Sequence, residues 1–368
     1  SLLRFYEAKR KKFYSSKVMP RLVEYIIAVG IKRPKVDSTE SPELIKRYPR
    51  EDHKDFPLHP DIVFFCQPEG CSTSSKKISL HQINTFVFTL TDKETSITRF
   101  GICCNFFRPC LGVPQNNKKQ VESLSLEGDL TEKKDFVNEV DKKRHSLNSL
   151  NKKSSLASNL VLCYSLTSVC IISSFPFFST FRECLYVLRK LVESRNNNKK
   201  EIFDKSSNDL VDDINQNINQ LTLIQCRNWS LLFNNQDYLN SQSINTDILD
   251  VDYWIRNLLK IPLPVSGLNR VEVELLPRHI QPPLTFALPE SSRFSFSDYP
   301  VHLPLELLGV ETCLKILTCI MLEHKVVLQS RDYNALSISV MSLTTMLYPL
   351  EYMFPIIPLL PTCMKNAE

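Results

Sequence analysis

Glycine is scarce in this chain, with seven residues among 368. The seven are widely spaced, and no two of them form a GxG or a GxxxxGK motif. Loops that cradle phosphate groups need glycine because their backbone adopts positive φ angles and approaches the ligand closely. The scarcity therefore argues against a Rossmann dinucleotide site, a P-loop and a kinase glycine-rich loop. We expect no nucleotide and no other cofactor to be bound.

Common catalytic motifs are also missing from the sequence. It contains no GxSxG, no HExxH, no CxxC and no HRD with DFG, which mark familiar hydrolases, metalloproteases, redox proteins and kinases. His324 lies between Glu323 and Lys325 at a predicted helix end, where a histidine commonly interacts with the last carbonyl groups. We therefore expect a protein that performs no covalent chemistry.

The twelve cysteines show no spacing typical of a disulfide framework or a zinc site. Most lie in apolar runs, such as ICCNFF with Cys103 and Cys104, where a free thiol behaves as a small hydrophobic side chain. This usage, with no secretory signal at the first residues, predicts a reducing cytosolic compartment. Cys66, Cys71 and Cys110 could join these two around zinc, but no histidine lies at ligand spacing from them. We expect no metal.

The formal net charge of +5 arises mainly from the first twenty residues, where six basic side chains accompany only Glu7. This basic arm also carries aromatic residues, so it could touch an anionic, peripheral membrane surface, although the pattern favours a solvated tail. Because no basic stripe recurs along the rest of the chain, we expect no nucleic-acid partner.

Two uncharged windows, between Lys153 and Arg182 and between Asp332 and Glu351, are long enough to cross a membrane. Hydroxyl residues, asparagine and proline dilute both windows, so neither has the apolar density of a lipid-facing helix. A membrane transporter is thus kept only as a rival interpretation.

Residues 20–194 are predicted to form one α/β domain, preceded by the arm at 1–19. Apolar runs bounded by turn residues predict strands, and a short polar connection at 93–95 predicts that two of them form an antiparallel hairpin. Apolar spacings of three and four predict a helix over Pro176–Ser194. The proline-rich stretch 41–60 is predicted to be a surface loop, and 108–158 a disordered insertion. The predicted strands are Leu22–Ile31, Asp61–Cys71, Asn84–Asp92, Ser96–Phe107 and Ser165–Phe175.

An Asn-rich linker at 195–247, with an apolar docking segment at Leu221–Phe233, leads to a second α/β domain at 248–368. Strands and helices alternate there, which predicts a βαβα unit. The last predicted strand has no covering helix after it, so we expect an incomplete domain. The predicted elements are a helix at Ile248–Lys260, a strand at Val271–Pro277, a helix at Leu303–His324, a strand at Lys325–Ser330, a helix at 332–348 and a strand at Tyr352–Leu360.

Several strings resemble known modules more specifically than any single motif does. RYPREDHKDFPLHPDIVFFCQPEGC, FVFTLTDKETSITRFGICCNF and SSFPFFSTFRECLYVLRKLV resemble the upstream module of the DENN-domain family. The long block from LTFALPESSRF to IPLLPTCM resembles the start of the central DENN module. This resemblance implies a bilobal α/β architecture, with a Longin-like upstream lobe and an incomplete central lobe.

The resemblance implies a guanine-nucleotide exchange factor that activates Rab-family small GTPases by stabilising the nucleotide-free GTPase in a groove between the lobes. It further implies a cytoplasmic protein recruited to plasma-membrane or vesicle surfaces, with roles in trafficking and in MAP-kinase and death-receptor signalling. A death-receptor cytoplasmic tail is a second implied partner. The rival interpretation is a non-catalytic adaptor that binds a Rab or such a tail.

Candidate partner-contact residues lie in the turn that follows the predicted strand at Lys325–Ser330, where α/β folds commonly bind ligands. A second candidate group precedes the helix that begins at Leu303. The alternative for both groups is that they cap and hold a helix start. We expect the isolated fragment to be inactive or to aggregate, because its last strand would remain uncovered. The candidates are Ser330, Arg331, Asp332, Tyr333 and Asn334, with Tyr299 and His302.

Overall fold

A computed structural model of the chain shows a seven-stranded antiparallel sheet with helices against its faces, followed by a mainly helical C-terminal part. The basic arm, residues 115–158 of the predicted insertion and nearly all of the predicted linker lie outside the described residues. The structure describes residues 21–78, 82–92, 97–114, 161–194, 226, 229, 251, 253–275, 278, 281–289, 297–350 and 352–367.

The sheet is built around one long antiparallel pair, β6 (Thr98–Gly112) and β7 (Val161–Ser173). Strand β5 pairs with the outer side of β6, while β1 and β4 pair with different halves of β7 on its other side. β3 then pairs with β1, and β2 with β4. The remaining strands are β1 (Tyr25–Gly30), β2 (Thr39–Glu40), β3 (Glu43–Tyr48), β4 (Cys71–Ser74) and β5 (Ile83–Thr91).

Most residues of β1, β6 and β7 are buried, because both faces of the sheet are covered. Such strands appear in sequence as almost continuous apolar runs rather than as a strict alternation. The predicted strands at Leu22–Ile31 and Ser165–Phe175 and the predicted hairpin are thereby confirmed. β6 is longer than predicted: it continues through residues 108–112, which had been assigned to the insertion.

One face of the sheet packs against α2 (Phe178–Ser194), the helix predicted from its apolar spacing. Its buried residues recur every three or four positions and include Phe181, Leu185 and Leu188. Trp229, from the predicted docking segment, lies on the same face with its ring centroid 4.8 Å from that of Phe106. This layer is therefore assembled from aromatic and aliphatic side chains far apart in sequence.

The opposite face is covered by α1 (Ile62–Cys66), whose buried residues are Ile62, Val63 and Cys66. The predicted strand at Asp61–Cys71 is therefore wrong. Its apolar residues follow a helical spacing over one turn, and Gly70, with φ of 87°, reverses the chain before β4 begins at Cys71. The predicted loop at 41–60 is also wrong in part, because β3 pairs there with β1.

The C-terminal part contains helical residues at 253–259, the antiparallel pair β8 (Arg270–Val273) and β9 (Leu284–Ala287), and three further helices. These are α3 (Leu303–Leu308), α4 (Val310–Met321) and α5 (Tyr333–Thr345). The predicted single helix from Leu303 is divided at Gly309, whose φ of 79° lies in the left-handed region. Thr362–Ala367 forms a 3₁₀ helix.

Two strands predicted in this part are wrong. The segments 325–331 and 352–360 are irregular in the structure, and no βαβα unit forms among the described residues. Pro355 and Pro358 lack the N–H groups that strand pairing needs. The segment around Val327 is largely exposed, so it gains none of the burial that stabilises a central strand. Across the described ranges, none of the helices is long and apolar enough to span a membrane.

Gly101 tests the packing of the β5–β6 pair. A Cβ atom placed at Gly101 would lie 2.2 Å from Cζ of Phe88, its partner in the ladder. We expect Gly101→Ala to lower the free energy of unfolding by about 1–3 kcal/mol, because the added methyl group overpacks the core. Urea denaturation followed by circular dichroism measures this change.

The control is the double variant Phe88→Leu with Gly101→Ala. The smaller leucine leaves room for the methyl group, so we expect the combined cost to be less than the sum of the two single costs. Additive costs would show that the Phe88 ring is not the obstacle.

Candidate functional site

Tyr299, Tyr333 and Asn334, three of the seven candidate residues, lie along the line of contact between the sheet part, residues 21–194, and the C-terminal part, residues 251–367. We call this line the seam. Three places on the sheet part contribute to it: the N-terminal turn of α2, the free edge of β5, and the turn between α1 and β4. Each place is held by hydrogen bonds between residues more than 100 positions apart.

Asp298 binds the N-terminus of α2 across the seam. Its Oδ2 accepts hydrogen bonds from the backbone N–H and the hydroxyl of Thr180, at 3.0 and 3.1 Å. The first N–H groups of a helix have no partners within the helix, and a carboxylate satisfies them and interacts favourably with the helix dipole. Burial nevertheless raises the pKa of Asp298, although the hydrogen bonds from Thr180 act in the opposite direction.

Tyr299 follows directly and stacks on α2. Its ring lies parallel to that of Phe178, with 4.8 Å between the centroids, and only 7% of the residue is exposed. Its hydroxyl is 2.7 Å from Oγ1 of Thr345 in α5, and burial raises its pKa. Tyr299 thus joins α2 to α5 and offers little surface to a partner.

α5 covers the free edge of β5. The side-chain oxygen of Ser337 accepts a hydrogen bond of 3.1 Å from the backbone N–H of Val87. The hydroxyl of Thr89 donates to the carbonyl of Ile356. Unpaired N–H groups on an edge strand invite pairing with another chain, and a covering helix removes that hazard. α5 therefore satisfies a backbone N–H group at the edge of the sheet in addition to packing within the C-terminal part.

The candidate turn at Ser330–Asn334 lies at the end of α5 that meets the seam. Asp332 is the N-cap of α5, because its Oδ1 accepts from the N–H groups of Asn334 and Ala335 at 2.8 and 3.1 Å. Its own N–H donates to the Ser330 hydroxyl at 3.1 Å. The expected N-cap is confirmed, and Ser330, Arg331 and Asp332 remain exposed.

Tyr333 and Asn334 connect this turn to the sheet part. The Tyr333 hydroxyl donates to Glu69 in the α1–β4 turn, and its ring meets Phe86 edge-on at 5.6 Å. Burial and the Glu69 carboxylate raise the pKa of Tyr333. Asn334 Oδ1 accepts from Arg182 of α2 at 3.1 Å. The structure therefore brings Tyr299, Tyr333 and Asn334 into the seam.

His302 lies apart from these contacts on the surface before α3, with its Nε2 3.4 Å from Oε1 of Glu306. Whether it, or the Ser330–Asn334 turn, contacts a partner stays a prediction.

A largely exposed apolar surface lies beyond the seam, on α4 and the irregular segment after it. Cys313 is the only buried residue of α4, and α4 contacts α3, which in turn contacts α5. Contiguous exposed apolar surfaces can mark interaction sites in soluble proteins. We call this surface the apolar face. Its residues are Val310, Leu314, Met321, Leu322 and Val327.

Among the described residues, one group of side chains has the spacing to hold a metal ion: the thiols of Cys66, Cys103 and Cys170, within 4.8 Å of one another. Burial opposes ionisation, but hydrogen bonds from the other two thiols lower the pKa of Cys66. All three are enclosed by apolar side chains. Among the described residues no fourth ligand joins these three, whereas structural zinc sites use four, so the group fits packed thiols better than a structural zinc centre.

Several seam residues had no signal in the sequence. Asp298 and Ser337 lie in segments that carry no motif, and Val87 contributes only its backbone. Each gains its role from a partner more than 100 residues away, so local pattern could not have identified it.

Family comparisons agree with this architecture. The model of the DENN (AEX-3) domain matches residues 164–367, and that of the uDENN domain matches residues 42–106. The chain belongs to the DENN-domain family. In this DENN-domain protein the two matches meet within one sheet, because β7, at the start of the DENN match, pairs along its length with β6.

Three curated relatives are each named MAP kinase-activating death domain protein. The mouse protein (Mus musculus) is 46% identical over 96% of this chain and 23% of its own length. The Drosophila melanogaster protein is 35% identical over 95% of this chain and 21% of its own length. The Caenorhabditis elegans protein is 34% identical over 95% of this chain and 23% of its own length. The chain thus spans less than a quarter of the length of these relatives.

Asp298 provides a test of the seam. We expect Asp298→Ala to lower the free energy of unfolding by about 1 kcal/mol, because the first turn of α2 loses its cap. Asp298→Asn keeps an acceptor oxygen and should cost less. Since the folded-state pKa of Asp298 is raised, the folded protein binds more protons than the unfolded one between the two pKa values.

Stability of the wild type should consequently fall as pH rises through that window, and the asparagine variant should lack this contribution. Urea titrations at pH values from 4 to 7, on the order of one unit apart, measure the difference. Equal pH slopes in both proteins would contradict the assignment.

The apolar face provides a second test. We expect the isolated chain to self-associate at micromolar concentration, because exposed apolar surface favours association. Leu314→Glu should reduce the association, whereas Lys315→Glu, an adjacent exposed position on α4, should not. Sedimentation velocity measures the species present. A monomeric wild type, or equal self-association of the two variants, would contradict the role of the apolar face in association.

Proposed function

We propose that this chain is part of a guanine-nucleotide exchange factor that activates a Rab-family small GTPase. Membership of the DENN-domain family is the observation that carries the proposal. The relatives' name connects them with MAP-kinase signalling and death domains. We extend the proposal to trafficking at plasma-membrane or vesicle surfaces and to a death-receptor tail as a second partner.

The proposed docking surface combines the exposed turn Ser330–Asp332 with the neighbouring apolar face. The turn offers the Arg331 guanidinium and the Asp332 carboxylate, while α4 offers aliphatic side chains such as Leu314. Apolar contacts bordered by charged groups are typical of protein interfaces. A GTPase there would lie beside the seam, where both parts of the molecule are within reach.

Exchange by such a surface needs differential binding and no covalent step. The factor accelerates GDP release when it binds the nucleotide-free GTPase more tightly than the loaded one. A shift of roughly 10⁴-fold requires about 5.5 kcal/mol of differential interaction. By linkage, a bound nucleotide weakens the binding of the exchange factor to the GTPase by the same ratio as the exchange factor weakens the binding of that nucleotide. The scarcity of glycine and the missing catalytic motifs are compatible with this mechanism.

The seam contributes by fixing the turn. Tyr333 and Asn334 hold its C-terminal side against Glu69 and Arg182, and Asp332 caps α5. A surface held in place before binding loses less conformational entropy when a partner docks. Tyr333, Asn334 and Tyr299 are accordingly proposed to position the surface, and His302 to extend it beyond α3.

The full-length protein and Rab GTPases loaded with a fluorescent GDP analogue provide the test. We expect the wild type to accelerate GDP release from at least one Rab. Arg331→Ala should reduce the acceleration at least about tenfold, or about 1.4 kcal/mol. The matched control is Arg256→Ala, which removes another exposed arginine of the C-terminal part.

Lack of accelerated release by the wild type across the Rab family would overturn the proposed activity. Preferential binding to the GTP-bound form, without release, would instead identify an adaptor. Equal activity of the two arginine variants would show that Arg331 does not contribute to the docking surface, while the proposed exchange activity would still stand.

A further inference from the structure

The β6–β7 ladder brings two pairs of cysteines directly opposite each other. Cys103 faces Cys170 near the centre of the sheet, and Cys110 faces Cys163 close to its end. Directly opposite residues of an antiparallel pair have Cα atoms about 4.5–5.5 Å apart, within the range that a disulfide bridges. The backbone therefore meets the distance requirement at both pairs.

Cys110 and Cys163 already have their sulfur atoms in contact. The two Sγ atoms are 3.4 Å apart, and Cys110 Sγ lies 3.6 Å from the carbonyl oxygen of Cys163. A disulfide requires the sulfur atoms to approach to about 2.05 Å. Rotations of the two side chains can supply this approach because the backbone separation is suitable. Cys163 is fully buried, whereas Cys110 retains 7% exposure.

We propose that Cys110 and Cys163 are a redox-modification site, at which hydrogen peroxide or an organic peroxide converts the two thiols into a cross-strand disulfide. This inference concerns the sheet part and is independent of the proposed exchange activity.

The reaction proceeds in two balanced steps. The Cys110 thiolate attacks one peroxide oxygen, the O–O bond breaks, and Cys110 becomes a sulfenic acid while an alkoxide or hydroxide leaves. Cys163 sulfur then attacks Sγ of Cys110, the S–O bond breaks, and hydroxide leaves. The protons of the two thiols neutralise the two leaving groups. Two thiols are oxidised, and one peroxide is reduced to water and an alcohol, or to two waters.

The surroundings assign different roles to the two sulfur atoms. A hydrogen bond from Cys163 and the nearby Arg108 guanidinium lower the pKa of Cys110, while burial opposes them. The interaction with Cys110 and burial raise the pKa of Cys163. Thiolate is the reactive form towards peroxide. Cys110 is therefore the residue that is oxidised first, and Cys163 resolves the sulfenic acid.

The Cys103–Cys170 pair is an internal control with the same register. Both residues are fully buried, as is Cys66 beside them. Cys103 Sγ also donates to Oδ1 of Asn105 at 3.2 Å. Because peroxide has no access to this pair in the folded protein, the two pairs should differ in reactivity although their ladder positions are equivalent.

The experiment treats the reduced, folded chain with hydrogen peroxide, alkylates the remaining thiols after unfolding, and identifies linked peptides by mass spectrometry. In the wild type we expect a Cys110–Cys163 peptide that disappears on reduction, with Cys103 and Cys170 recovered as alkylated thiols. The exposed Cys363 reports that the oxidant was active. A non-reducing gel of the same samples excludes intermolecular disulfides.

Variants separate the two roles. Cys163→Ser should leave Cys110 as a sulfenic acid that dimedone captures, whereas Cys110→Ser should give neither the linked peptide nor capture at Cys163. Cys103→Ser, the matched control, should leave the Cys110–Cys163 yield unchanged. Circular dichroism checks the fold of each variant. Even if a variant unfolds, formation of the Cys110–Cys163 peptide in the wild type still tests the proposal.

Three outcomes would overturn the proposal. The first is recovery of Cys110 and Cys163 as free thiols under conditions that oxidise Cys363. The second is a linkage of Cys110 to Cys226, which is only partly buried. The third is an equal yield of the Cys103–Cys170 peptide, which would show that oxidation follows register rather than access.

Discussion

Burial of the β6–β7 pair on both faces is the constraint on which the rest of the structure depends. A strand pair whose residues are apolar on both sides leaves neither face for water, so each face needs its own cover. α2 and part of the C-terminal region supply one cover, while α1 and the segment around Leu359 supply the other. Residues separated by most of the chain therefore fold as one unit.

The C-terminal part is attached by directional polar contacts as well as by apolar area. Asp298 caps α2, Ser337 satisfies an edge N–H of β5, and Asn334 accepts from Arg182. Each such bond contributes about 1 kcal/mol, yet an unpaired buried group costs more. These contacts fix the orientation of α5 and consequently the position of the turn that begins at Ser330.

The sequence predicts those elements whose local pattern and tertiary environment agree. β1, β7 and the β5–β6 hairpin lie in long apolar runs, and α2 has a clear helical spacing. The failures arise where the environment decides. α1 spans five residues, which are too few for a helical period to be distinguished from that of a strand. Val327 belongs to an apolar run that remains exposed and forms no strand.

The candidate site shows the same limit more sharply. Tyr333 and Asn334 were chosen because they follow the predicted strand at Lys325–Ser330, which is irregular in the structure, and their contacts with Glu69 and Arg182 depend on the complete fold. Asp298 and Ser337 have no local feature at all. Sequence therefore predicts where a turn lies, whereas its rigidity depends on distant partners.

The distribution of polar and apolar groups over the C-terminal part indicates which surface is available for binding. Asp298, Asn334 and Ser337 form hydrogen bonds at the seam, while aliphatic side chains such as Leu314 and Val327 remain exposed. A helix that contributes only Cys313 to the interior gains little stability from its own apolar residues. The free energy still available from α4 thus lies in contacts with a further surface. Because α3 links α4 to α5, and α5 is fixed to the sheet, a partner bound there would be positioned relative to the whole molecule.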